Sequence, residues 1–337
     1  MDFGSLPISD SYAELTHHAM PPLATAQQSS SLNPMTEQHH GTAFIFGLGF
    51  SGRVLARLLL ERGWRVRGTR REGIPFDDPS LRDVEVFAFS AGEAITDADA
   101  AFDGVTHVIS TIAVIDGADP VLAAHGDDLK SLSPWAGYVS ATSVYSEADG
   151  GWVTEESPAE PSVRRGQWRR DAEIAWQESL NAEVFRAAGI YGPGRSPFRD
   201  LLAGRGRIIL KPGHAFNRIH VDDIARVLVA AMEQPEPRRI INLADGSPCE
   251  AGDVIRYAAD LLGVAAPTPV PFEDAELSAM ARSFYATSRK VDSSRIGRAF
   301  GLDLLYPDYR AGMRAVLAAE RAAGIIPHHD EENPDAP

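Results

Sequence analysis

Cysteine is nearly absent: Cys249 stands alone in 337 residues, so no intramolecular disulfide can form. That fits a reducing cytoplasm. In the turn-like stretch Gly246-Ser247-Pro248-Cys249 the thiol reads as a bystander rather than a nucleophile. No apolar run approaches the roughly 18 residues of a transmembrane helix, so no membrane partner is expected. No Lys or Arg precedes Arg53. A secretory signal starts with positive charge ahead of an apolar core, and an organellar transit peptide is rich in Arg, so neither is expected. Residues 1–40 are rich in Ser, Pro, Gln, Thr and His and read as a disordered extension, with Met35 as an alternative start of translation. Residues 326–337, ending HHDEENPDAP, read as a disordered tail. The histidines form no metal pattern, since His39-His40 and His328-His329 fall in these ends. Positive charge is in deficit, with a net charge of −15. Such a chain repels a phosphate backbone, so no nucleic-acid partner is expected. The basic run RRGQWRR (164–170) reads as a helix start, and its single Trp is a poor basis for base stacking.

What is present is ordinary for a globular chain: 44% hydrophobic and 23% charged residues. From residue 42 onward the pattern is strand, turn, helix, repeated. TAFIFG (42–47) is an apolar run that ends in glycine, and FSGRVLARLLLERG (50–63) follows at helical spacing. Further strands are expected in WRVRGTRR (64–71), DVEVFAFS (83–90), THVISTIAV (106–114), GYVSATSVY (137–145), NAEVFRAAGIYG (181–192) and IINLAD (240–245). VDDIARVLVAAM (221–232) is expected to be a helix capped by Asp222 or Asp223, with further helices at 250–262 and 309–322. Strands alternating with helices predict an α/β fold with a parallel sheet covered on both faces.

GLGFSG (47–52) is G-x-G-x-x-G placed between an apolar strand and a helix. In that setting Gly47 makes the tight turn. Gly49 lets the backbone approach a pyrophosphate seated on the helix start, and Gly52 lets the helix pack against the strand. Leu48, Phe50 and Ser51 fill the same loop. The motif predicts a Rossmann-type doubly wound sheet and a dinucleotide. An acidic residue at the end of the second strand would hold the ribose of NAD. The sequence has Gly68-Thr69-Arg70-Arg71 there, and guanidinium forks suit a 2′-phosphate. NADP(H) is therefore favoured, with Arg53 adding charge, and NAD(H) stays open.

The chain resembles an atypical member of the extended short-chain dehydrogenase/reductase superfamily, the NAD(P)-dependent epimerase/dehydratase-like group. The resemblance covers residues 42 to about 320. It rests on GLGFSG, SATSVYS, TEESPAEP, FRAAGIYGPGR, NRIHVDDIA and RKVDSSRI. It implies a nucleotide-binding domain over residues 41–190 plus about 219–248. A smaller, partly interleaved C-terminal substrate lobe would take about 191–218 plus 249–325. It further implies cofactor contacts from Thr111, Ile112, Ser140 and Tyr191, and substrate contacts from Arg195, Arg218, His220 and Arg289, with Lys290 nearby. An anion such as a diphosphate would suit those arginines. A homodimer through helices near 119–132 and 162–180 is also implied.

That superfamily uses a Ser or Thr, a Tyr, and a Lys four residues after the Tyr, in acid–base catalysis beside a hydride carrier. Aligned on Val144-Tyr145, the Ser/Thr position falls on Ala141, between Ser140 and Thr142. Aligned on Ala172-Glu173, the Tyr and Lys positions fall on Arg165 and Arg169, so the Tyr-x-x-x-Lys pair is lacking. Arg169 can stand in for the fixed charge of Lys, but a guanidinium does not exchange protons near neutral pH. Thr142 and Ser143 occupy positions where the dehydratases carry Asp-Glu, which argues against sugar dehydration. Thr142, Ser143, Tyr145 and Arg169 are the catalytic candidates; the alternative is that hydroxyls at a strand end bond local backbone and that the Tyr145 ring serves to pack. Two functions stay open. One is an NADP(H)-binding oxidoreductase or epimerase-like enzyme for a small polar carbonyl or nucleotide-sugar-type substrate. The other is a non-catalytic NADP(H)-binding redox sensor or regulator.

Overall fold

The computed structural model describes residues 40–146 and 148–327, so the expectations for residues 1–39 and 328–337 lie outside the described residues. The first half runs β1 (Thr42–Phe46), α1 (Phe50–Glu61), β2 (Arg65–Arg70), β3 (Glu85–Ala88), α2 (Ala98–Phe102), β4 (His107–Ser110), α3 (Pro120–Leu132) and β5 (Trp135–Ala141). The middle runs β6 (Trp152–Val153), α4 (Arg164–Leu180), β7 (Glu183–Ala187), β8 (Gly189–Tyr191), α5 (Phe198–Leu202), β9 (Ile208–Leu210), β10 (Arg218–His220), α6 (Val221–Glu233) and β11 (Ile240–Leu243). The chain closes with α7 (Ala251–Leu262), β12 (Pro269–Pro271), α8 (Ala279–Ser283), β13 (Lys290–Val291), α9 (Arg295–Phe300) and α10 (Tyr309–Ala322). Among the described residues no helix is long and apolar enough to cross a membrane.

Seven strands form one parallel sheet in the order β11-β7-β5-β4-β1-β2-β3. β1 is central and buried along its whole length. Its alternation divides two cores, as a period of two requires. Ala43 and Ile45 join Leu55, Leu59 and Leu228 on one face. Phe44 and Phe46 join Phe102, Tyr138 and Trp176 on the other. A third core, with Phe198, Val254, Met313 and Val316, belongs to the later part of the chain. The strand order reverses between β1 and β4, and ligands bind such sheets in the crevice outside the carboxyl ends at that point.

Three local expectations change. The strand expected over 181–192 is two strands. Ala188 N–H still bonds Leu243 O at 2.9 Å, but Gly189 N–H bonds Asn217 O at 3.0 Å, so the chain changes partner there and β8 pairs with β10. The strand expected over 106–114 stops at Ser110, because Thr111 turns its hydroxyl onto the Gly47 carbonyl at 2.7 Å. The cap of α6 is His220 rather than an Asp: its Nδ1 accepts the Asp222 N–H at 3.2 Å. Asp223 instead accepts the backbone N–H groups of Leu305 and Tyr306 at 2.7 and 3.0 Å, tying a distant segment to the start of α6.

Candidate active site

The glycine turn has the geometry its spacing predicts. Gly47 has φ +92°, a region that L side chains avoid. A Cβ on Gly52 would collide with the Gly47 carbonyl oxygen, so only glycine lets α1 start this close to β1. Thr69 holds the turn from β2, its Oγ1 accepting Gly47 N–H at 3.0 Å and its carbonyl accepting Leu48 N–H at 2.8 Å. Leu48 is buried and Gly49 is exposed at the start of α1, followed by Phe50 and Ser51. Exposed backbone N–H groups and the positive end of a helix dipole suit a diphosphate.

At the end of β2 the Arg70 guanidinium lies 4.6 Å from the centre of the Phe76 ring, and its Nη1 donates to Ile74 O (2.6 Å) and Pro75 O (3.1 Å). Arg53 approaches the same ring at 5.7 Å. Arg71 is exposed beside them. Two guanidiniums thus share one aromatic platform within reach of the glycine turn. Phe76 was not foreseen from the sequence, and only its distance from Arg70 in space marks it.

A cleft of about 1950 Å³ opens from Phe50 and Thr111 past the end of β5 to the later part of the chain. Ten arginines line it, against five carboxylates, on a chain whose net charge is −15. Two of those carboxylates are already paired, Asp78 with Arg57 at 3.2 Å and Asp200 with Arg205 at 2.8 Å. A low-dielectric cleft lined by one sign of charge concentrates ligands of the other sign.

Arg195, Arg218, His220 and Arg289 all line this cleft, whereas Lys290 is not among the lining residues. Arg195 lies 5.6 Å from the Phe50 ring centre, and burial holds its pKa below the usual value. Arg218 donates to Phe216 O at 3.2 Å and to the Cys249 sulfur at 3.1 Å, so the lone thiol buttresses a cleft arginine. Arg289 is buried and donates to Thr142 O at 2.9 Å. His220 is fully buried between Tyr306 and Tyr191, and desolvation pushes its pKa down to about 3, so the imidazole is neutral.

The hydroxyl candidates separate. Thr142 and Ser143 border the cleft, Ser143 exposed. Tyr145 borders it too, but its hydroxyl donates to Asn242 Oδ1 at 2.6 Å inside the protein, with the Arg186 guanidinium 4.7 Å from its ring centre. Burial raises the Tyr145 pKa. Tyr191 packs its ring into the third core against α10, and its hydroxyl is buried with no hydrogen-bond partner among the described residues. Desolvation, then the nearby Asp245 charge, raises its pKa. Ser140, a cofactor contact by resemblance, is 4% exposed, and its Oγ has no hydrogen-bond partner among the described residues. Arg169 is anchored over the sheet end, its Nη1 donating to Tyr138 Oη at 2.9 Å and to Ile112 O and Val139 O at 3.4 Å.

Buried carboxylates hold this frame from outside the cleft. Glu320 on α10 accepts Gly194 N–H at 2.7 Å and the Ser196 hydroxyl at 3.0 Å, fixing the loop that carries Arg195. Glu173 on α4 forms a two-bonded pair with Arg186 of β7 at 3.0 and 2.8 Å. Neither carries a sequence motif.

No family model matches the chain. The Escherichia coli K12 protein YeeZ is 26% identical over 279 residues, which cover 78% of this chain and 96% of that protein. The human epimerase family protein SDR39U1, solved with NADPH, superposes with a TM-score of 0.63 at 19% identity, over 82% of this chain and 99% of that one. The Bacillus cereus UDP-glucuronic acid 4-epimerase, solved with NAD, gives 0.65 at 16% identity, over 82% and 98%. These two likenesses establish the fold. A functionally unknown conserved protein from Silicibacter pomeroyi DSS is 44% identical, with a TM-score of 0.76 over 82% of this chain and 98% of that one. The chain belongs to the family of that Silicibacter pomeroyi protein, and it carries the Rossmann-type fold seen in the SDR39U1 and UDP-glucuronic acid 4-epimerase structures.

Proposed function

We propose that the protein is an NADP(H)-dependent oxidoreductase or epimerase-like enzyme acting on a small polar, anionic substrate of the nucleotide-sugar or related carbonyl type. The observation that carries this reading is the joining of a glycine dinucleotide turn to a cleft in which arginines outnumber carboxylates. The turn and α1 hold the diphosphate. Arg70 and Arg53, gathered on Phe76, select the 2′-phosphate. Thr111, Ile112 and Ser140 border the place of the nicotinamide half, and Arg169 supplies the fixed charge that a Lys supplies elsewhere in the superfamily. Arg195, Arg218 and Arg289 meet the substrate, with neutral His220 beneath them. When bound, the nicotinamide supplies the hydride chemistry.

Tyr145 bonds Asn242 and Tyr191 is enclosed by α10, so among the proposed hydroxyls Ser143 and Thr142 are the ones left at the cleft surface. That arrangement favours a second reading, a non-catalytic NADP(H)-binding sensor.

Calorimetric titration with NADP+, NADPH, NAD+ and NADH tests what the two readings share. NADP(H) is expected to bind more tightly than NAD(H), and Arg70→Ala to remove about tenfold of that preference, the scale of one charge-assisted hydrogen bond. Equal binding of all four nucleotides by parent and variant would defeat the NADP assignment. NADPH consumption with anionic carbonyl compounds and nucleotide sugars then separates enzyme from sensor.

A further inference from the structure

The start of α4 runs against electrostatic custom. A helix N-terminus carries partial positive charge and ordinarily has Asp or Glu in its first turn. α4 has none: its first two residues are Arg164 and Arg165, and its N-cap, Val163, provides no side-chain bond. This end is pressed against the site. A Cβ on Gly166 would meet Ser143 O at 2.5 Å, so glycine lets the first turn of α4 touch the segment that follows β5. Arg165 and Arg169 are four residues apart, hence on one face of the helix, and both line the cleft.

Arg169 is immobilised by Tyr138, Ile112 and Val139, and Asp119 lies near enough to balance part of its charge. Arg165 is exposed and has no hydrogen-bond or ion-pair partner among the described residues. A second, independent feature points into the same corner. Tyr138 and Ser140 are two residues apart on β5 and so share a face, and Tyr138 meets Arg169 and Trp176 of α4 on that face. Ser140 therefore points toward α4, lines the cleft, is 4% exposed, and has an Oγ without a hydrogen-bond partner among the described residues.

We propose that Arg165, Arg169, Ser140 and the start of α4 form an oxyanion subsite at the nicotinamide end of the cleft, so that the substrate presents a carboxylate or phosphate beside its reacting carbon. This rests on the functional reading above and narrows it. The neutral hydroxyl-bearing ring of a plain sugar would leave Arg165 and the α4 N-terminus unmatched, whereas an oxyanion satisfies both together with the Ser140 hydroxyl.

The test uses the full chain. Oxalate and inorganic phosphate are titrated separately, by calorimetry at fixed ionic strength, into the protein saturated with NADP+, which occupies the cofactor's own phosphate positions. One of the two anions is expected to bind, and which one it is identifies the oxyanion as carboxylate or phosphate. Arg165→Ala, at an exposed position, is expected to weaken it about tenfold or more, with Arg165→Lys between the two and NADP+ affinity unchanged. Ser140→Ala is expected to weaken the anion as well. If neither anion binds the saturated protein, or if Arg165→Ala leaves the affinity as it was, the subsite is refuted. If no nicotinamide nucleotide binds, the functional reading falls by itself. The same titrations on the free protein then decide the subsite, because loss on Arg165→Ala but not on Arg70→Ala places the anion at α4, and any other result rejects it.

Discussion

At the scale of single residues, the cleft is defined by where polar atoms point. Tyr145 and Tyr191 both border it through their rings and both direct their hydroxyls into protein, one onto Asn242 and one toward α10. Asp245, 4% exposed, shows the cost of such burial. One oxygen accepts Ser247 N–H at 3.0 Å and the other has no hydrogen-bond partner among the described residues. Desolvation raises its pKa to about 7, only partly opposed by the Ser247 bond and the Arg218 charge. The sign follows from linkage. A carboxyl whose folded pKa is raised binds a proton in the folded chain at pH values where the unfolded chain has lost it, so its charging penalises the fold as pH rises from about 4 to about 7. Asp245→Asn keeps an acceptor for Ser247 and removes that penalty. Its melting temperature is expected to match the parent's near pH 3 and to exceed it by several degrees at pH 8, at about 2–4 °C per kcal/mol. A constant difference across that range would show that Asp245 is not held protonated.

At the scale of elements, the loops of the cleft are positioned by helices that do not line it through the same residues. Glu320 on α10 reaches the 194–196 loop with three oxygen contacts, to Gly194 N–H and twice to the Ser196 hydroxyl. Burial raises its pKa, and those donors oppose the rise. Glu320→Ala leaves buried donors unmatched, at a cost of about 1–3 kcal/mol. It is expected to weaken anion binding in the cleft through the displaced Arg195 while leaving NADP(H) affinity within about twofold. Calorimetry of both ligands on the same variant checks the split; equal losses would mean that the variant has simply loosened the fold. Asp223 works similarly, tethering Leu305 and Tyr306 and so closing the His220 pocket from outside.

At the scale of the whole molecule, α10 approaches β8 closely. A Cβ on Gly312 of α10 would collide with the Tyr191 hydroxyl and ring edge. Gly312→Ala is expected to destabilise the protein by about 1–3 kcal/mol, the usual cost of overpacking. Tyr191→Phe alone removes an unpartnered buried hydroxyl and is expected to be near neutral. Combined with Gly312→Ala it should recover part of the loss, since the nearest atom is gone while the ring carbons remain close. Denaturant unfolding of the two single variants and the double variant measures this; strict additivity would show that the two residues do not touch.

The parts of this protein that its sequence determined by itself are the ones governed by neighbouring residues. GLGFSG dictates a tight turn and a close helix because glycine alone tolerates Gly47's backbone and Gly52's packing. The apolar run of β1 and the alternation of strand with helix call for a parallel sheet covered on both faces, since a strand apolar on both sides needs helices on both sides to bury it. The pair Arg70-Arg71 was legible as cationic at the end of the second strand. Tertiary structure alone decided the rest. That Tyr145 is bonded to Asn242, that Ser140 is left without a partner, that Phe76 gathers Arg53 and Arg70, and that Glu320 reaches Gly194 all depend on residues brought together from distant parts of the chain. A strand's period says which face a side chain takes, but the direction of a hydroxyl is set by the nearest acceptor that packing supplies, and no local pattern records that.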